Sequence, residues 1–220
     1  MYEPVEQNSM SHFGSNFWDG YSYKLNRDVF FYSELEYDHW ILVECNPKII
    51  SFCEQPKKID GYVDGEYKES IFDMWINLED GTEEFLEIKY SSEIENLEKR
   101  SDRVSKQIKL QQKWCKDNNY QHRIVTEKHI RIQPLLSNSK IILPYIKKMK
   151  QTSEITKYKI LKSLNNGTPT TIKSLAALLK EIQPSELYQG IFSLYLSNKI
   201  QIDIESAPIN QDTEVLLINE

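Results

Sequence analysis

The spacing of apolar and polar positions changes period along the chain. Residues 71–90 are rich in β-branched and aromatic residues on both sides of Asp80-Gly81. They predict two strands and a tight turn, because glycine accepts the positive φ that such a turn demands. Residues 34–45 carry Leu35, His39, Leu42 and Val43 at helical spacing, and Ser33 followed by Glu36 matches a capping box. Pro47 ends that helix, residues 49–55 read as a strand stopped by Pro56, and a turn region surrounds Asp60-Gly61 and Asp64-Gly65. The helical period returns over residues 94–118. Leu97, Val104, Ile108, Gln111 and Cys115 form its buried stripe, with Trp114 beside them, and Lys99, Arg103, Lys106, Lys109, Lys113 and Lys116 form a solvated flank. Residues 122–126 predict a short strand that returns parallel to the one carrying Glu87. Ile141, Leu143, Tyr145 and Ile146, after Pro134, predict a further helix.

These elements divide into an arm over residues 1–26, polar and aromatic without a period, an α/β core over 27–150, and a second domain over 151–220. In the last, Tyr158, Ile160, Leu161 and Leu164 suit one helix, Ile172, Leu175, Leu178 and Leu179 a second, and Leu187, Ile191, Leu194 and Tyr195 a third starting near Pro184. Residues 199–204 then alternate as a strand, so the domain reads as winged-helix-like. Lys173 and Lys180 are opposed by Glu181 and Glu186, which favours protein docking over reading of base edges. The run Val215-Leu216-Leu217-Ile218 is either an edge strand or a subunit contact.

Composition narrows the setting. Three cysteines, at 45, 53 and 115, have no CxxC spacing, which argues against a disulfide framework or a zinc knuckle and for a reducing compartment. No run reaches the roughly eighteen apolar residues of a membrane span, and the amino terminus has no signal-peptide pattern. A soluble intracellular chain is expected. The net charge of -6 conceals a division: residues 1–99 hold 8 Lys/Arg against 22 Asp/Glu, residues 100–150 hold 13 against 3, and residues 151–220 hold 6 against 8. The basic block either meets a polyanion or neutralises the acidic half of the same fold.

The strand after Asp80-Gly81 places Glu87 and Lys89 on one face, with Asp73 across the hairpin. Such a group makes a divalent-metal site with a lysine beside the bound water, or else an ordinary solvated strand face. Glu36 either caps its helix or reaches the same metal. His39, His122 and His129 read as packing or surface residues rather than zinc ligands.

Together, Ser33-Glu34-Leu35-Glu36, Phe72-Asp73-Met74-Trp75, Glu87-Ile88-Lys89-Tyr90 and the run Ile124-Val125-Thr126-Glu127-Lys128-His129-Ile130 resemble the TnsA-like endonucleases, which cut one strand at each transposon end within heteromeric cut-and-paste transposases. The resemblance covers about residues 27–150. It implies a restriction-endonuclease-like fold of the PD-(D/E)xK kind, a mixed sheet flanked by helices. It also implies that Glu36 is the acidic residue of the opening helix, that Asp73 and Glu87 are metal ligands, and that Lys89 is the catalytic lysine, with Mg²⁺ as cofactor and Mn²⁺ as a substitute. Phe72 replaces the proline of the signature, and the best-known member has Gln where this chain has Glu87. The implied substrate is double-stranded DNA at transposon ends. The implied partners are a DDE transposase and an AAA+ ATPase regulator, in a bacterial cytoplasm, and the basic flank from Lys99 to Lys116 would carry the DNA backbone. A stand-alone restriction or repair nuclease and a non-catalytic DNA-binding or adaptor subunit remain open.

Overall fold

A computed structural model of the chain describes residues 2–5, 17–95, 102–149, 152–164 and 168–218. Two compact units emerge, Met1–Val43 with Ile49–Arg131, and Glu44–Lys48 with Ile132–Glu220. In the first, strands β1 (Trp18–Ser22) and β2 (Arg27–Phe31) pair antiparallel and lead into helix α1 (Glu34–Cys45). Strand β3 (Ile49–Glu54) follows, then a hairpin of β4 (Lys58–Val63) and β5 (Glu66–Ile71), β6 (Met74–Leu78) and β7 (Glu83–Ile88). Helices α2 (Ser91–Glu95) and α3 (Asp102–Asp117), strand β8 (Gln121–Val125) and the short helix α4 (Glu127–Ile130) complete the unit.

The main sheet has the order β3-β6-β7-β8, with β8 parallel to β7 and the other pairs antiparallel. This is the mixed α/β sheet expected of a restriction-endonuclease-like fold, with the parallel return after α3 that the sequence predicts. β4 and β5 do not join it; they form a separate ribbon. The ribbon turns at Asp64 (φ 51°) and Gly65 (φ 81°), whereas Asp60-Gly61 lies inside β4 and is no turn. The Asp80-Gly81 turn is longer than a two-residue hairpin. Leu78 and Thr82 close it through a 2.9 Å backbone bond, the Thr82 amide donates to Asp80 Oδ1, and Gly81 takes φ 84°.

Helix α3 packs against β4, β5 and β8. Between them lies a core of Cys53, Ile59, Val63, Phe72, Trp75, Phe85, Leu110 and Cys115, with Tyr2, Trp114 and Tyr120 at its edge. Phe72 and Phe85 are fully buried, and each such side chain stabilises the fold by about 1.5–3 kcal/mol relative to exposure. Ile108, Gln111 and Cys115 are buried as the stripe predicts, Val104 is half-buried, and Leu97 lies outside the described residues. Lys106 departs from the solvated flank: it is 5% exposed, and its ammonium sits 2.6 Å from Glu66 of the ribbon.

The second unit contains α5 (Leu135–Ile146), α6 (Glu154–Ser163), β9 (Thr170–Thr171), α7 (Ile172–Leu178), α8 (Pro184–Leu196), β10 (Ile200–Ile202) and β11 (Glu214–Leu217). The units part at 131/132, ahead of the expected boundary at 150, because α5 belongs with the carboxy-terminal elements. Asn138 donates to the carbonyls of Ile204 and Ala207 and accepts from the Ile209 amide, and Tyr145 meets Phe192 of α8 edge-on at 5.0 Å. The inward face of α5 is Leu136, Asn138, Ser139, Ile142 and Ile146, whereas Ile141 is exposed. Pro184 opens α8 at its first turn, where a missing amide is harmless. β11 is the middle strand of β10-β11-β9, so the apolar tail is no edge strand. Among the described residues no helix is long and apolar enough to cross a membrane.

Candidate active site

Asp73 sits where the chain enters β6, fixed by backbone bonds from its amide to Leu86 and from the Gln55 amide to its carbonyl. Its Oδ2 accepts the Ile88 amide at 2.6 Å. Lys89 follows β7 directly, and its amide donates to Val125 of the parallel neighbour. Sheet pairing on both sides of Glu87 therefore sets the direction of both side chains. The Lys89 ammonium lies 2.6 Å from Glu87 Oε1 and 4.0 Å from Asp73 Oδ2, so these three residues meet on one face.

Glu87 has no exposed surface. A buried carboxylate needs a full set of donors, and α3 supplies two beyond Lys89. Gln107 Nε2 donates to Oε1 at 2.7 Å, and Gln111 Nε2 donates to Oε2 at 2.6 Å. Gln111 also donates to Ser70 of β5 at 2.9 Å, and its Oε1 is 3.1 Å from His122 Nε2 of β8. Gln107 and Gln111 are the residues that sequence reasoning missed as site residues. The available signal was a glutamine in an otherwise apolar stripe, because a buried amide must find partners.

Glu36 is used as a cap. Its amide donates to Ser33 Oγ at 3.1 Å, while its carboxylate accepts from the Ser33 hydroxyl at 2.9 Å and the Tyr32 amide at 3.2 Å. It nevertheless shares the field of the other groups. Burial, then the charge of Asp73, push its pKa up to about 7, against the opposing pull of Ser33, Tyr32 and Lys89. Burial, then Asp73, raise Glu87 to about 8 against Lys89 and Gln111, and burial raises Asp73 as well. Burial alone would discharge Lys89, but Asp73 and Glu87 outweigh it and hold its pKa above the ordinary lysine value. Burial thus holds Asp73, Glu87 and Glu36 toward their protonated forms around the Lys89 ammonium, and a bound cation would favour their ionised forms. Among the described residues, however, no three His, Cys, Asp or Glu groups are gathered to hold a metal ion. Asp73 and Glu87 are the pair that share the lysine.

On the outer side of α3, Arg103, Lys109, Lys113 and Lys116 are exposed. Lys109 meets Asp64 at 2.7 Å, and Lys57 lies over the Trp114 ring at 5.5 Å. Lys106 is withdrawn from this surface by Glu66, and Lys99 lies outside the described residues. Of the histidines, His129 accepts the Thr126 amide at 3.1 Å at the start of α4, and His39 and His122 pack within the first unit.

Residues 46–127 match the family described as TnsA-like endonuclease N terminal. The matched span runs from just before β3 to the first residue of α4 and includes Asp73, Glu87, Lys89, Gln107 and Gln111, but not Glu36. No curated protein matches the chain.

Proposed function

From the match of residues 46–127 to the TnsA-like endonuclease N-terminal family, we propose a divalent-metal-dependent DNA endonuclease subunit of a transposase that cuts one strand, at the 5′ end, of each transposon end. The observation that carries this reading is the meeting of Asp73, Glu87 and Lys89 inside the matched span, with more carboxylate than ammonium. Asp73 and Glu87 would hold Mg²⁺, or Mn²⁺ in its place, and Glu36 would join directly or through water if released from its cap. A bound ion of this kind supplies Lewis acidity and a water of lowered pKa. Lys89 would orient the attacking water and offset charge on the phosphoryl oxygens, while Gln107 and Gln111 hold Glu87 in place. The product is a nick with a 3′-hydroxyl and a 5′-phosphate.

Arg103, Lys109, Lys113 and Lys116 form the proposed track for the DNA backbone, which positions the duplex without reading its sequence. Residues 151–220, with 6 Lys/Arg against 8 Asp/Glu, lack the positive excess of a DNA reader. We assign this winged-helix-like part to contacts with a DDE transposase or an AAA+ ATPase regulator.

Strand-specific mapping of cuts on a labelled duplex carrying a transposon end, with and without the neighbouring transposase, tests the reading. Cutting at one strand is expected only with Mg²⁺ or Mn²⁺, with Asp73→Ala inactive and Lys89→Ala strongly slowed. Cutting that survives metal chelation or Asp73→Ala overturns the metal-dependent reading. Efficient cutting at the correct strand by the unpartnered protein replaces the transposase subunit with a stand-alone nuclease.

A further inference from the structure

A second polar cluster lies on the main sheet, toward the end of β7 opposite Glu87. The register sets Ser51 of β3 opposite Asn77 of β6, and Asn77 opposite Glu83 of β7. Directly paired residues on adjacent strands share a face, so hydroxyl, carboxamide and carboxylate stand in one row across three strands. With Trp75, Tyr2 and Tyr120 they line a cavity of about 420 Å³.

The cavity is held in shape by its own rings. Tyr2 meets Trp75 edge-on at 5.1 Å and donates its hydroxyl hydrogen to the Tyr120 oxygen at 3.2 Å, while the Trp75 indole N–H donates to Glu83 Oε2 at 2.8 Å. Tyr120 stacks in turn on Trp114, with ring planes 7° apart. Ser51 is only 5% exposed, yet its Oγ has no hydrogen-bond partner among the described residues. A buried hydroxyl without a partner is costly unless something else supplies one, and this one borders the cavity.

Charge and shape select the guest. Among the described residues no Lys or Arg lines the cavity, whereas Glu83 does. A phosphate-bearing guest would therefore meet repulsion. A planar cation with several donors, able to lie against aromatic rings, matches a carboxylate, a carboxamide oxygen and a hydroxyl together. A lysine ammonium would satisfy the charge but not the flat row of acceptors. We propose that this cavity receives an arginine side chain presented by a partner protein, its guanidinium donating to Glu83, Asn77 and Ser51. The site uses none of the nuclease residues and does not depend on the proposed cleavage activity.

The test is a titration of the ¹⁵N-labelled full chain with Nα-acetyl-arginine methylamide, followed through the Trp75 indole N–H signal, which is assigned by its loss in Trp75→Phe. The neutral citrulline analogue, the acetyl-lysine amide and cytidine serve as comparison probes. A saturable shift with the arginine probe is expected, with the citrulline analogue at least about tenfold weaker because it lacks the charge-assisted hydrogen bonds. Glu83→Gln, which keeps an acceptor for Trp75, should weaken arginine binding to a similar degree, and Ser51→Ala should weaken it less. Thermal melting of both variants establishes that they are folded. No saturable shift, equal binding of citrulline, or full binding by folded Glu83→Gln overturns the proposal. Preferred binding of cytidine also overturns it, in favour of a nucleobase pocket.

Discussion

Glu87 shows how much one buried charge asks of its neighbours. Three side chains donate to it, and two of them come from a helix that sequence reasoning treated as a source of basic residues. Gln111→Leu removes the donor to Oε2 and also abandons Ser70 and His122. Residues that orient a ligand usually matter about 10–100-fold in metal affinity. Calorimetric titration with Mn²⁺ should therefore show a loss of that size in Gln111→Leu, and an unchanged affinity would exclude a positioning role. His39 bears on stability instead. It is buried in the first unit, its Nδ1 lacks a partner among the described residues, and burial followed by the charge of Arg123 pushes its pKa from 6.5 down to about 3. The unfolded chain therefore binds the proton that the folded chain refuses. The contribution of His39 is fully present above pH 6.5 and is lost as pH falls from there toward 3, by an amount on the order of 4 kcal/mol. His122, lowered by burial to about 4, acts in the same direction. Urea unfolding across pH 3–7 should show a shallower acid decline for His39→Leu than for the wild type, and the difference isolates His39 from His122. Parallel curves would refute the assignment.

The elements most legible in the sequence are those whose signal is local. Helix α1 covers the predicted residues 34–45, with Ser33 and Glu36 reciprocally capped, and α8 begins at Pro184. Ser33→Ala removes the cap acceptor and one donor to Glu36, and should cost about 1 kcal/mol in chemical denaturation. The face of α5 was not legible, because Asn138 is buried through bonds to residues 204–209, and a period that counts polar residues as exposed cannot see them. Lys106 fails for the same reason: its partner, Glu66, lies on a ribbon 40 residues earlier. Close helix contact was equally hidden. A Cβ at Gly190 of α8 would stand 2.5 Å from Ile160 Cδ1 and 3.2 Å from Thr156 Cγ2 of α6. Ile160 is fully buried, so Gly190→Ala should destabilise the protein by about 1–3 kcal/mol despite the better helix propensity of alanine. Thermal unfolding measures this, and adding Ile160→Val, which removes the clashing carbon, should recover part of the loss.

At the scale of the whole molecule, the net charge of -6 misleads, because residues 100–150 carry 13 Lys/Arg against 3 Asp/Glu. If the outer face of α3 carries duplex DNA, Lys113→Ala/Lys116→Ala should weaken binding and lower the salt slope by about 0.9 for each phosphate left without its cation. Lys106→Met should leave that slope unchanged, because Lys106 is buried against Glu66. Fluorescence anisotropy at several salt concentrations distinguishes them, and an unaltered slope in the double variant removes α3 as the track. By itself the sequence determined what local backbone rules control: the periods of the strands and helices, the turn at Asp64-Gly65, and the two-residue spacing that puts Glu87 and Lys89 on one face. Only the tertiary structure decided that Asp73 and Glu87 share one ammonium, that Gln107 and Gln111 reach Glu87 across 20 and 24 residues, and that Ser51, Asn77 and Glu83 line one cavity with Tyr2, Trp75 and Tyr120. Those relations join distant segments, and burial there reverses the ordinary preference of charged and polar groups for water.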